Sequence, residues 1–175
     1  MSNLMKKNLP ENQVHTISPV YDSHSRILIL GSFPSVKSRE VGFFYGHPQN
    51  RFWKVLAAVT DQETPRTIPE KKEFLLRNGI ALWDVIASCD IQGSSDSSIR
   101  NVVPNDLSEI LRKADIRQIY ANGGTAFRLY RKYTYPAVGK EAVRLPSTSP
   151  ANAACSLEKL TEQWSVIREF LIGER

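Results

Sequence analysis

Four short apolar runs, each ending at a glycine, a proline or a polar residue, constrain this chain more than any other feature. They are residues 26–30 (RILIL), 79–84 (GIALWD), 117–121 (RQIYA) and 142–145 (AVRL). Each is too short for a buried helix and reads as a buried strand. The segments between them carry helical spacing. Phe52, Val55, Leu56 and Val59 predict a helix over about residues 50–60, and residues 69–77 predict a second, with Thr67 as cap and Gly79 just past the end. Leu107, Ile110, Leu111 and Ala114 predict a third, with Asn105 as N-cap. Residues 125–133 predict a fourth, and Leu157, Leu160, Trp164, Ile167 and Leu171 form the stripe of a last one. The polar stretch 89–101 reads as an irregular loop. Strands alternating with helices give a parallel sheet covered on both faces. The expected fold is therefore α/β, in three layers around a central four-stranded parallel sheet.

In such a sheet the ligand crevice lies outside the carboxyl ends of the strands. Four segments should meet there: residues 31–35 (GSFPS) with the adjoining stretch of chain, Asp84, the turn Asn122-Gly123-Gly124, and residues 146–152. The first turn lacks a GxGxxG pattern, which argues against a dinucleotide cofactor. The 175 residues suit one domain spanning 1–175, with residues 1–13 as a flexible arm. No uninterrupted apolar stretch is of membrane-spanning length, and the opening MSNLMKKNLPENQ has no signal-peptide core, which predicts a cytoplasmic protein. Cys89 and Cys155 form no CxxC pair, so neither a four-cysteine cluster nor a structural zinc is expected. Twenty-three basic against eighteen acidic residues, a net charge of +5, permits a polyanionic partner without requiring one.

Two motifs narrow the function. One is GSFPSVKS (31–38) followed by FYGHPQNRFW (44–53); the other is LPSTSPAN (145–152). Both resemble the uracil-DNA glycosylase superfamily, and strand order and motif placement match from about Arg26 to Leu171. Superfamily members usually carry Asp or Asn before the proline of the first motif; here Phe33 stands there. Leu145 likewise replaces a histidine of the uracil-excising enzymes. The chain looks most like the hypoxanthine (deoxyinosine) branch, which lacks the motif-one polar residue.

That resemblance implies a monofunctional, monomeric glycosylase, without metal or cofactor, that flips a deaminated base out of DNA and hydrolyses its glycosidic bond. It gives Asn50 a catalytic, water-orienting role, although Asn50 equally suits the cap of the helix after it. It makes Tyr45 a stacking platform for the base, against the alternative of a core residue, and Phe33 either a wall of the same pocket or a residue packed beneath it. It makes Ser147, Thr148 and Ser149 phosphate ligands, against the alternative of ordinary turn residues. His47 and Asn122 are expected to support the site from behind. Asp84 either reads the base edge, or caps the following segment or pairs with a nearby arginine. The alternatives are a uracil or broad-specificity glycosylase, a non-catalytic nucleotide- or DNA-binding module, and a nucleoside hydrolase, for which no acidic metal cluster is visible.

Overall fold

The computed structural model describes residues 9–171. Seven strands run β1 (Glu11–Val14), β2 (Ile27–Gly31), β3 (Ile80–Asp84), β4 (Ile86–Ile91), β5 (Arg100–Pro104), β6 (Gln118–Asn122) and β7 (Ala142–Leu145). The helices are α1 (Val36–Val41), α2 (Phe52–Thr60), α3 (Ile68–Asn78), α4 (Ser108–Lys113), α5 (Gly124–Leu129), α6 (Tyr135–Val138) and α7 (Leu157–Trp164).

Strands β3-β2-β6-β7 form the anticipated parallel sheet in that order. Every residue of central strand β2 is buried, as a strand covered on both faces must be. Its side chains alternate. Ile27 and Ile29 pack with Phe52, Leu56, Phe74 and Trp164 under α2, α3 and α7. Leu28 and Leu30 pack with Ile86, Ile110 and Tyr130 on the other face. Each such buried side chain stabilises the fold by about 1.5–3 kcal/mol. The sheet is thus held by its interior, and the residues at its carboxyl ends are released for other work.

Local signals fix α3 well. Thr67 and Glu70 form a reciprocal capping box, and Gly79 closes the helix at φ 76°, where a side chain would be strained. Asn105, expected to cap the next helix, instead donates to the carbonyls of Asp84 and Ile86. The helix begins later, at Ser108, whose N–H is met by Asp106. The helix expected over 125–133 starts as α5 and continues through a π turn, Tyr130–Thr134, into α6. The last stripe is helical to Trp164 and a 3-10 turn from Ser165 to Phe170.

The irregular loop expected over 89–101 is corrected by a second sheet. β4 pairs antiparallel with β1 on one side and β5 on the other, and a short 3-10 turn, Asp96–Ser98, joins β4 to β5. Ile86, Cys89 and Ile91 turn into the core while the intervening positions stay partly open. The flexible arm is corrected in part by the same sheet: residues 11–13 belong to β1, while residues 1–8 lie outside the described region. Among the described residues no helix is long and apolar enough to cross a membrane.

Candidate active site

The carboxyl ends of β2, β3, β6 and β7 surround a cavity of about 380 Å³. Its wall is built from residues 31–35, the Phe44–Tyr45 segment, Asn50, Asp84, Asn122 and residues 147–151, joined by Ser94 and Asp96 from the β4–β5 connection. The volume lies in the usual small-molecule range of roughly 300–1,000 Å³ and suits a nucleotide rather than a duplex.

Asp84 forms the floor and is 3% exposed. Its Oδ2 lies 2.8 Å from Nε2 of His15, whose ring is itself buried. The Ile17 N–H donates to the other ring nitrogen, Nδ1, at 3.2 Å. Nδ1 is therefore the acceptor, Nε2 carries the proton, and His15 donates to Asp84. Asp84 Oδ1 remains for the cavity. Beside it lies the Tyr45 hydroxyl, buried and without a hydrogen-bond partner among the described residues. Burial first, and the Asp84 carboxylate second, raise the phenol's proton affinity; the nearby Asn122 acts in the opposite sense. The phenol is thus a neutral donor with nothing to donate to, a costly state for a buried group. Gly31 makes room for both oxygens: a Cβ there would stand 2.4 Å from Asp84 Oδ1 and 2.9 Å from Tyr45 Oη.

Tyr45 is held under strain. Its φ of 52° is left-handed, and its ring stacks on Phe52 at 4.0 Å between centroids. The Gly46 N–H donates to Ser38 Oγ and fixes the turn. One ring face is occupied by Phe52, so any stacking on a base uses the opposite face. Phe33 is buried, edge-on to the His15 ring at 6.0 Å and beneath the Arg39 guanidinium at 5.4 Å. It is a wall that also packs against the histidine holding Asp84.

A relay crosses the middle of the site. Asn122 Nδ2 donates to Thr148 Oγ1 at 3.0 Å, and Thr148 Oγ1 donates to Asn50 Oδ1 at 2.9 Å. Asn50 Oδ1 also accepts from the Phe52 N–H at 3.0 Å. A backbone N–H can only donate, so the orientation of the Asn50 amide is fixed. Arg51, not Asn50, is the N-cap of α2, and the Asn50 oxygen accepts both the N–H of Phe52, the first residue of that helix, and the Thr148 hydroxyl. The Nδ2 amide is the group left to serve the cavity.

Thr148 is fully buried with its hydroxyl committed on both sides, accepting from Asn122 and donating to Asn50, so it bridges two residues of the site. Ser147 Oγ accepts from the Ser149 N–H and Ser149 Oγ accepts from the Ala151 N–H, leaving each hydroxyl proton free to donate at the rim. His47 is exposed, and its Nδ1 accepts from the Gln49 N–H in its own turn. Gly123, at φ 97°, would place a Cβ 3.0 Å from that of Ser147, so the turn after β6 is glycine for close approach.

Three contributors went unread in the sequence. Arg51, next to Asn50, donates to the carbonyls of Ser149, Asn152 and Cys155 and so shapes the 147–155 loop. Its place between Asn50 and Phe52 was the available signal. His15 and Asp96 had none, because both reach the site through the second sheet. Asp96 Oδ1 accepts from Ser32 Oγ at 3.3 Å. Much of the residue is exposed, yet protein crowds its carboxylate on the cavity side. This raises its proton affinity, against the pull of Ser32, Thr125 and Arg128. No group of three or more His, Cys, Asp or Glu among the described residues is arranged to hold a metal ion.

Comparison with known proteins gives a consistent result. The model of the Uracil DNA glycosylase superfamily matches residues 18–171. A protein of Methanosarcina acetivorans named Hypoxanthine DNA glycosylase is 34% identical over 151 residues, covering 85% of this chain and 94% of its own. One of the same name from Methanosarcina barkeri is 32% identical over 148 residues, covering 84% and 92%. A solution NMR structure from Methanosarcina acetivorans, described as that of a candidate uracil DNA glycosylase, superposes with a TM-score of 0.77 at 32% identity, covering 91% of this chain and 98% of that one.

Proposed function

The chain belongs to the uracil DNA glycosylase superfamily, and from that premise we propose that it releases deaminated bases from DNA, hypoxanthine foremost. It is a DNA N-glycosylase, and its product is an abasic site in an intact strand. The observation that carries the base assignment is the pair at the cavity floor: a fixed acceptor, Asp84 Oδ1, beside an unpartnered donor, Tyr45 Oη. Hypoxanthine presents O6, an acceptor, next to N1–H, a donor. Tyr45 answers the first and Asp84 the second. Adenine presents the reverse order, an amino donor and a bare N1, and meets a donor with a donor and a carboxylate with a lone pair. Sites built on buried polar groups reject such a mismatch by leaving those groups unpaired.

The remaining roles rest on the same geometry. The base must be flipped to enter a cavity of this size, and deaminated bases pair poorly, which lowers that cost. Asn50, through its Nδ2, holds the nucleotide or its attacking water in place. Ser147 and Ser149 donate to phosphates at the rim, while Asn122 supports them through Thr148. The unpaired Cys89 and Cys155 agree with a cytoplasmic setting.

The direct test is incubation of duplexes carrying hypoxanthine, uracil, xanthine or ordinary bases, followed by alkaline cleavage, with and without chelator. Fastest release from the hypoxanthine duplex, insensitive to chelator, is expected. Faster release of uracil would overturn the order of preference, and a borohydride-trapped protein–DNA adduct would overturn simple hydrolysis.

A further inference from the structure

A glycosylase must stabilise positive charge on the deoxyribose and present water to C1′. In this chain the position before the motif-one proline is Phe33, which can do neither, and the Asn50 oxygen is already occupied twice. The acidic side chains lining the cavity are Asp84 and Asp96. Asp84 is tied to the floor by His15, and the glycosidic nitrogen of a purine lies on the side of the base away from its Watson–Crick edge. A base seated edge-down on Asp84 therefore brings its C1′ up to the level of the rim. Asp96 is the acidic group found there.

We propose that Asp96 is a catalytic carboxylate of this enzyme, delivered from the β4–β5 connection to the position that the first motif leaves without a charge. Its hydrogen bond to Ser32 sets it one residue from Phe33, at the carboxyl end of β2. The connection is braced there: Ser94 Oγ accepts from the Val36 N–H at 2.9 Å, and the Gly93 carbonyl accepts from Arg39 Nη2 at 3.0 Å. Both braces run to α1, so an outwardly irregular turn is anchored over the cavity mouth. Asp96 opens the 3-10 turn, but its side-chain bond crosses to Ser32.

In the reaction the bond between C1′ and the glycosidic nitrogen breaks, and its electron pair leaves with the base. The Asp96 carboxylate faces the resulting sugar cation and accepts a hydrogen bond from water. The water oxygen bonds to C1′ while one of its protons passes to Asp96 and on to solvent. The departing base takes a proton from solvent, and no other reactant is needed.

The proposal rests on the glycosylase reading but not on hypoxanthine as substrate, so its test uses whichever base the parent protein releases fastest. Asp96→Asn keeps the size and can still accept from Ser32. Its single-turnover rate should fall by about 100-fold or more, the scale for removing a preorganised electrostatic group. Affinity for the same duplex carrying an uncleavable 2′-fluoro nucleotide should stay within about threefold, under 1 kcal/mol. The acid-side fall of the parent's pH profile should also be lost, since burial of the Asp96 carboxylate, outweighing the pull of Ser32, Thr125 and Arg128, makes it titrate above an ordinary aspartate. A variant rate within threefold of the parent overturns the proposal, and so does an equal loss of binding and cleavage, which would make Asp96 a DNA contact. Should Asp96→Asn fail to fold, Ser32→Ala decides, because it frees the carboxylate without altering its charge. A several-fold slower rate at unchanged binding supports the proposal, and an unchanged rate overturns it.

Discussion

Replacing Thr148 by Val separates a bridge from a phosphate ligand. The two side chains have nearly the same shape, so the change removes one hydroxyl and leaves packing alone. That hydroxyl is fully buried, accepts from Asn122 Nδ2 at 3.0 Å and donates to Asn50 Oδ1 at 2.9 Å. Asn50 Oδ1 keeps the Phe52 N–H, and Asn122 Oδ1 keeps the Thr148 N–H. One half-buried donor, Asn122 Nδ2, loses this partner, at a cost of about 1–3 kcal/mol. For a chain of this size that lowers the melting temperature by about 2–4 °C per kcal/mol, so by roughly 2–12 °C. Cleavage should slow because the Asn50 amide loses a tether, while Thr148→Ser, which keeps the hydroxyl, restores much of both. A phosphate ligand would behave differently: stability would hold, binding would weaken on every sequence, and the dependence of affinity on salt would flatten. Thermal melting, single-turnover cleavage and a salt titration of product binding read all three. A Thr148→Val protein that melts like its parent would refute the bridge.

Gly31→Ala should push Asp84 off the floor, since the new Cβ would sit 2.4 Å from its Oδ1; cleavage should fall about 100-fold, the usual effect of a misplacement near 1 Å, with stability lowered by overpacking of about 1–3 kcal/mol. Normal cleavage by this variant would detach Asp84 from the reaction. Ser147→Ala and Ser149→Ala should each weaken product binding without regard to sequence, and normal affinity in both at moderate salt would remove the rim hydroxyls from the DNA interface. Arg51→Met should loosen the 147–155 loop, seen as faster hydrogen exchange there and a lower melting temperature, because the carbonyls of Ser149, Asn152 and Cys155 lose a shared donor.

What the sequence made legible was whatever local pattern dictates. Short runs such as RILIL bury both faces and can only be central strands, and once they are parallel the crevice must lie at Gly31, Asp84, Asn122 and Pro146. Thr67, Glu70 and Gly79 specify a helix by their own chemistry. Contacts between distant segments were hidden. β4 is a strand because residues 11–14 and 100–104 pair with it, a fact absent from the run IASCDI. Thr148 sits in a Pro-flanked turn like its serine neighbours, and only Asn122, far back in the chain, turns its hydroxyl inward. Two of the three missed contributors share one cause. His15 lies just after β1 and Asp96 joins β4 to β5, so the unread antiparallel sheet supplies a floor donor and a rim carboxylate to a cavity framed by the parallel one.

Asp84→Asn tests base choice, because His15 determines which way the new amide faces. Ile17 holds His15 as an Nε2–H donor, and that donor requires an oxygen. The asparagine must therefore turn its Oδ1 to His15 and its Nδ2 to the cavity, where Asp84 had offered an acceptor. Hypoxanthine N1–H would then meet N–H, losing a charge-assisted bond of about 1.5–3 kcal/mol and gaining a repulsion. Uracil also has a ring N–H, but it is flanked by two carbonyls, and a small shift brings one of them to the new donor. The ratio of single-turnover rates, hypoxanthine to uracil, should fall about tenfold or more, since about 1.4 kcal/mol is a factor of ten. Replacing His15 by Phe in the same protein removes the constraint, frees the amide to flip, and should return part of the ratio. An unchanged ratio in Asp84→Asn, with or without a loss of stability, would mean that the carboxylate does not read the base and that the floor serves only the fold.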